Sequence, residues 1–116
     1  MARILVADDD PEQLRLFRMM LEFAGHAVQL AADPDDVLRQ LPTGPNLLMM
    51  DLGFPDFEMG LALIRRIREL RLQLPVIVLS GWPEELYGRP EERMVELILV
   101  KPVAAADLLQ AIAALV

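Results

Sequence analysis

The chain has 116 residues, 54% of them hydrophobic, with 18 acidic side chains against 11 basic ones, no cysteine and one histidine. That length bounds a single domain, residues 1–116, with an ordinary core, while the missing cysteines exclude disulfides, thiol catalysis and cysteine-ligated metal, and His26 alone does not make a zinc site. A formal charge of -7 argues against direct contact with nucleic acid or a membrane surface, no apolar run reaches the length of a bilayer span, and Met1-Ala2-Arg3 leads straight into structure instead of a signal peptide, so a soluble, cytoplasmic domain is expected.

In chain order, Arg3-Ile4-Leu5-Val6-Ala7 is a short strand that ends in three acids, Asp8, Asp9 and Asp10. Pro11 suits the first turn of a helix, and Leu14, Phe17, Met20, Leu21 and Ala24 recur at helical spacing up to Gly25, a C-terminal cap. Ala27 to Ala31 is a second strand. Asp33-Pro34 pairs an N-cap with a first-turn proline and opens a second helix, stopped by Pro42 and Gly44. Leu47-Leu48-Met49-Met50-Asp51-Leu52 is an apolar run interrupted by one carboxylate, as expected of a strand buried on both faces. A loop from Gly53 to Glu58 precedes an amphipathic helix from about Gly60, with Leu63, Ile64, Ile67 and Leu70 inward and Arg65, Arg66 and Arg68 on a solvated face. Pro75 to Leu79 is a fourth strand ending at Ser80-Gly81. Pro83, Gly88 and Pro90 break residues 82–96 into short pieces, so a fourth helix is irregular here. Leu97 to Val100 is a fifth strand, Lys101-Pro102 follows it, and a closing helix runs from Asp107.

Strand and helix alternate with short connections, the pattern of an α/β fold with a parallel sheet covered on both faces. Right-handed crossovers bring the carboxyl ends of the first, third, fourth and fifth strands to one rim. That rim collects Asp8, Asp9, Asp51, Ser80 and Lys101, at the edge where open parallel sheets bind ligands.

Carboxylates gathered within several ångströms repel by roughly 3 kcal/mol per close pair at an effective dielectric near 20. Either one acid is protonated or a cation neutralises the group. Magnesium fits a few carboxylates with retained waters and a bridge to a phosphoryl oxygen. Asp51 is then a candidate nucleophile, since a carboxylate accepts a phosphoryl group as an acyl phosphate. Lys101 offers a point charge and Ser80 a hydroxyl donor to its oxygens, while Asp8, Asp9, Asp51 and the Gly53 backbone carbonyl supply metal ligands. Singly, each residue has a plainer reading: an N-cap for Asp10, a turn serine, a surface lysine.

Ile4-Leu5-Val6-Ala7-Asp8-Asp9-Asp10, Met50-Asp51-Leu52 with Pro55-Asp56 and Gly60, Val78-Leu79-Ser80-Gly81 and Val100-Lys101-Pro102 together resemble the receiver domain of two-component response regulators. The resemblance covers essentially the whole chain. It implies a flavodoxin-like, doubly wound five-stranded sheet in the order 2-1-3-4-5 and a cis Lys101-Pro102 peptide. It also implies magnesium-dependent transfer of a phosphoryl group to Asp51 from a sensor histidine kinase or histidine phosphotransfer protein. The output is then binding of a downstream effector or a homodimer, and the only catalysis is self-phosphorylation and self-dephosphorylation. A degenerate receiver that binds partners without phosphorylation is the alternative. A nucleotide binder would want a glycine-rich loop where Asp8-Asp9-Asp10 stands, and a phosphatase a second acid where Gly53 stands.

Three positions depart from the resemblance or bear on it. Gly60 lies nine residues after Asp51, one more than is usual in the family, which allows a bulge at the start of the third helix. Ile98 occupies the place, three residues before Lys101, where the family's switch carries an aromatic ring. Trp82 borders the path of the hydrolytic water in such domains and is expected to shield the acyl phosphate. Phe54 and Phe57 either contact a partner or pack locally, His26 is a surface residue without a donor role, and the methionines are mostly core, with Met19 and Met20 on or beside the first helix's apolar stripe.

Overall fold

The computed structural model describes residues 2–71 and 73–116, leaving Met1 and Leu72 outside the described residues. Among them, β1 (Arg3–Ala7), β2 (Ala27–Ala31), β3 (Leu47–Asp51), β4 (Val76–Ser80) and β5 (Leu97–Val100) form one parallel sheet in the order β2-β1-β3-β4-β5. Four helices cover it: α1 (Pro11–Phe23), α2 (Pro34–Gln40), α3 (Phe57–Leu70) and α4 (Ala105–Leu115). This is the expected doubly wound architecture.

Local chemistry explains the helix starts. Asp10, Asp33 and Asp56 are extended N-cap residues whose carboxylates accept the amides of Glu12, Asp36 and Met59. Prolines at the first turns of α1 and α2 lose no hydrogen bond there. After the Ala24 cap, Gly25 turns the chain at φ +96°, where a side chain would strain the backbone. The Asp56 cap makes α3 begin at Phe57, three residues earlier than its apolar periodicity suggests, and α4 likewise begins at Ala105 instead of Asp107.

No bulge interrupts the start of α3. The Gly60 amide bonds the Asp56 carbonyl at 2.9 Å, a regular helical turn. Gly60 is required for room: a Cβ there would lie 2.0 Å from the Leu52 carbonyl oxygen.

The sheet separates two cores. Leu5, Leu48, Met50 and Val78 pack with Val37 of α2 and Ile64 and Ile67 of α3; Ile4, Val6, Leu47, Met49 and Ile77 pack with Leu21 of α1 and Leu108 and Ile112 of α4. Successive side chains of β3 alternate between the two, which is why its sequence reads as apolar throughout.

Residues 82–96 form two short 3-10 turns, Pro83–Glu85 and Pro90–Met94, in place of a helix. Two basic residues expected on a solvated face hold this segment instead. Arg65 pairs with buried Glu91 at 2.7 Å, and Arg68 bonds Glu96 at 2.8 Å and the Met94 carbonyl at 2.5 Å; Arg66, paired with Glu69, stays on the solvent side. Phe54 is fully buried and so packs locally, while Phe57 is half-buried beneath the Arg89 guanidinium. His26 is half-buried too, its Nδ1 accepting the Ala2 amide at 3.2 Å. Met19 departs from the core assignment, being 63% exposed.

Candidate functional site

The parallel register brings the strand ends level. Met50 pairs with Ala7, Asp51 with Leu79, and Ser80 with Val100, so residues 8, 51, 80 and 101 emerge along one rim. The Lys101 amide donates to the Ser80 carbonyl at 2.9 Å, extending the β4–β5 pairing by one residue. The Lys101-Pro102 peptide is cis, as the resemblance implies, and Phe54-Pro55 is cis as well. Asp8, Asp9, Asp51, Gly53, Ser80 and Lys101 all border one cavity of about 1000 Å³. Every site residue named from sequence is therefore at one place.

Asp8, Asp9 and Asp51 each bring a carboxylate oxygen within 4.8 Å of the others. Asp8 is buried, Asp51 half-buried and Asp9 exposed. Burial pushes the Asp8 carboxyl above the ordinary carboxylate range, and the charges of Asp51 and Asp9 push the same way, against the Asp10 amide and Lys101. That amide donates to Asp8 Oδ1 at 2.9 Å and fixes the carboxylate's direction. Lys101 Nζ lies 3.2 Å from Asp51 Oδ1, which also receives the Gly53 amide at 3.4 Å. Ser80 Oγ is buried and accepts the Trp82 amide at 3.0 Å.

This donor set contains only hard oxygen atoms, with excess negative charge and an open side toward the cavity. It fits a divalent cation of magnesium type, which takes carboxylates and keeps several waters, and it does not fit one that wants sulfur or imidazole. Other wall residues receive no catalytic or metal role from sequence. Phe57, Glu85 and Gln13 also border the cavity. Gln13 lies on the exit of α1 from the acidic loop, a position readable from helical spacing; Glu85 sits in an aperiodic segment that offers no such signal.

A family model described as the response regulator receiver domain matches residues 4–113. An uncharacterised 14.6 kDa protein of Leptolyngbya boryana is 37% identical over 92% of this chain and 84% of its own length. The virulence transcriptional regulatory protein PhoP of Salmonella typhimurium is 37% identical over 74% of this chain but only 40% of its own length, so the chain spans about two fifths of that regulator. Among solved structures, a response regulator receiver domain protein from Clostridium thermocellum superposes with a TM-score of 0.88 at 26% identity, covering 98% of this chain and 93% of that one.

Proposed function

The chain belongs to the response regulator receiver domain family of two-component systems, whose members are phosphoacceptor switches and not turnover enzymes, and from that premise we propose that Asp51 is its phosphoacceptor. The observation that carries this reading is the convergence of Lys101, 3.2 Å away, and two further carboxylates on Asp51 at the sheet rim.

In the proposed reaction an Asp51 carboxylate oxygen attacks phosphorus and the bond from phosphorus to the donor breaks. When the donor is a phosphohistidine, the imidazole nitrogen leaves with the bonding pair and the ring's other nitrogen takes a proton from solvent. With acetyl phosphate, acetate leaves. Asp8, Asp9, Asp51 and the Gly53 carbonyl would hold magnesium, which when bound supplies positive charge to the phosphoryl oxygens. Lys101, already drawn to Asp51 Oδ1, neutralises a second oxygen, and the Ser80 hydroxyl proton is free to point to a third, because Oγ uses only a lone pair toward Trp82. Water attacking phosphorus later breaks the bond to Asp51 and restores the carboxylate.

The partners proposed are a sensor histidine kinase or histidine phosphotransfer protein as donor, in the cytoplasm, and an effector protein or a second copy of this chain as target. Incubation with magnesium and acetyl phosphate, read by intact mass, tests the chemistry. One phosphoryl adduct is expected, absent in Asp51→Asn and absent when the metal is chelated. No adduct at saturating donor and metal, or an adduct that persists in Asp51→Asn, overturns the assignment; the first outcome leaves a phosphorylation-independent interaction module.

A further inference from the structure

The segment after β4 forms a circuit of contacts that leaves the cavity wall and returns to it. Ser80 Oγ accepts the Trp82 amide at 3.0 Å, and the Glu85 amide bonds the Trp82 carbonyl at 3.1 Å. Arg89 Nε donates to the Glu85 carbonyl at 2.8 Å, and the Arg89 guanidinium lies over the Phe57 ring, 4.9 Å from its centroid. Phe57 is the first residue of α3, and both it and Ser80 border the cavity over Asp51. The β5 position from which an aromatic ring would turn inward holds Ile98, half-buried against the same core cluster as Phe57. An aromatic ring near the rim is thus present at residue 57 and not on β5.

The geometry points to the Phe57–Arg89 contact as a clasp that reports occupancy of Asp51 to residues 82–89. This inference rests on the phosphoacceptor reading of Asp51. A phosphoryl group adds bulk and charge to the wall that Phe57 and Ser80 share, and it recruits the Ser80 hydroxyl, so both ends of the circuit are displaced together. Every other link in the circuit is a hydrogen bond or a covalent connection. The cation–π contact is the one held by ring electrostatics alone, and there the circuit opens.

Motion stops at residue 90, because Arg65–Glu91 and Arg68–Glu96 hold the following turn to α3. Gly88, at φ +81°, lies within the released part, two residues before the held turn begins at Pro90, and its amide bonds Glu92 Oε1 of that turn at 3.0 Å. Opening lifts Leu86, now fully buried, and re-presents Trp82 and Tyr87, which are 67% and 56% exposed. The surface altered for an effector is therefore the 82–89 turn.

Amide hydrogen exchange of the whole chain with magnesium, before and after acetyl phosphate, tests the clasp. The amides of Glu85, Leu86, Tyr87 and Arg89 each have a backbone partner and supply the readout. Phosphorylation is expected to accelerate their exchange by about fivefold or more, the lower range of allosteric coupling. In Arg89→Gln, which removes an exposed cation, these amides are expected to exchange fast in both states, leaving a change below about twofold, while the intact-mass adduct still forms. Phe57→Leu removes the ring from the other side and is expected to lose the response equally. An adduct on the unaltered protein without faster exchange at 85–89 overturns the clasp alone, and so does a full-sized response in either variant. No adduct on the unaltered protein overturns the phosphoacceptor reading and the clasp with it.

Discussion

Asp8 is the least solvated of the three grouped carboxylates, and that sets how pH acts on the site. Its carboxyl is raised in the folded state, chiefly by burial, so the fold disfavours the ionised form. Stability from this group is lowest at neutral pH and increases as pH falls through the raised value. Metal binding has the opposite sign, because it requires the ionised form and competes with the proton. Magnesium affinity, measured by titration calorimetry, is accordingly expected to weaken as pH falls from neutrality toward the raised Asp8 value. Asp8→Asn is expected to melt higher than the unaltered protein without metal at pH 7, and to bind magnesium at least about tenfold more weakly with a flatter pH dependence. Trp82 acts at the same scale. It stands at the cavity wall, 67% exposed, with its amide on Ser80 Oγ. Truncation to alanine opens the approach of water to phosphorus, so the phosphorylated half-life, followed by intact mass, is expected to shorten by roughly threefold, under 1 kcal/mol in barrier. An unchanged half-life removes the shielding role.

At the scale of elements, α3 does more than cover the sheet. Arg65 and Arg68 reach across to residues 91–96, and Glu91 is buried in the process. Arg65 holds the Glu91 carboxyl below the ordinary carboxylate range. A depressed acid contributes stability above its unfolded value, about 4.3, which is lost as pH falls through the lower folded value. Arg65→Ala strands that carboxylate without its partner. Since Arg65 is half-exposed and the pair is partly screened, a loss of about 1–2 kcal/mol in urea unfolding is expected, less than for a fully buried pair. Glu91→Gln, which removes the charge and keeps the shape, is expected to cost less, and acid sensitivity below pH 5 is expected to fall with it. None of this is readable from sequence. Arg65 and Glu91 are 26 positions apart, and nothing local distinguishes an arginine that faces solvent from one that meets a distant turn. Caps are partly legible: Asp33-Pro34 announces α2, whereas Asp56 reads as part of a loop because Phe57, Glu58 and Met59 break the apolar period.

Across the whole molecule, the sheet was legible because its central strands are buried on both faces, so that Leu47 to Met50 and Val76 to Leu79 read as unbroken apolar runs. The rim followed from topology, since one crossover hand aligns all the carboxyl ends. The burial of Phe54 was not legible, because a phenylalanine before a proline in a loop carries no period to show which way it points. The alternation of β3 between the two cores has a consequence for chemical damage. Met49 and Met50 face opposite clusters and are 1% and 0% exposed, while Met19 and Met59 are 63% and 46% exposed. Dilute peroxide is expected to convert Met19 and Met59 to sulfoxides first, as peptide mass mapping would show. Met49 and Met50 are reached only when the central strand leaves both cores at once, so their oxidation rates are expected to be equal and to rise together with denaturant. Unequal rates would mean that one face of the sheet opens without the other. The two adjacent sulfur atoms thus form an internal clock for the rarest excursion of this fold, its complete opening.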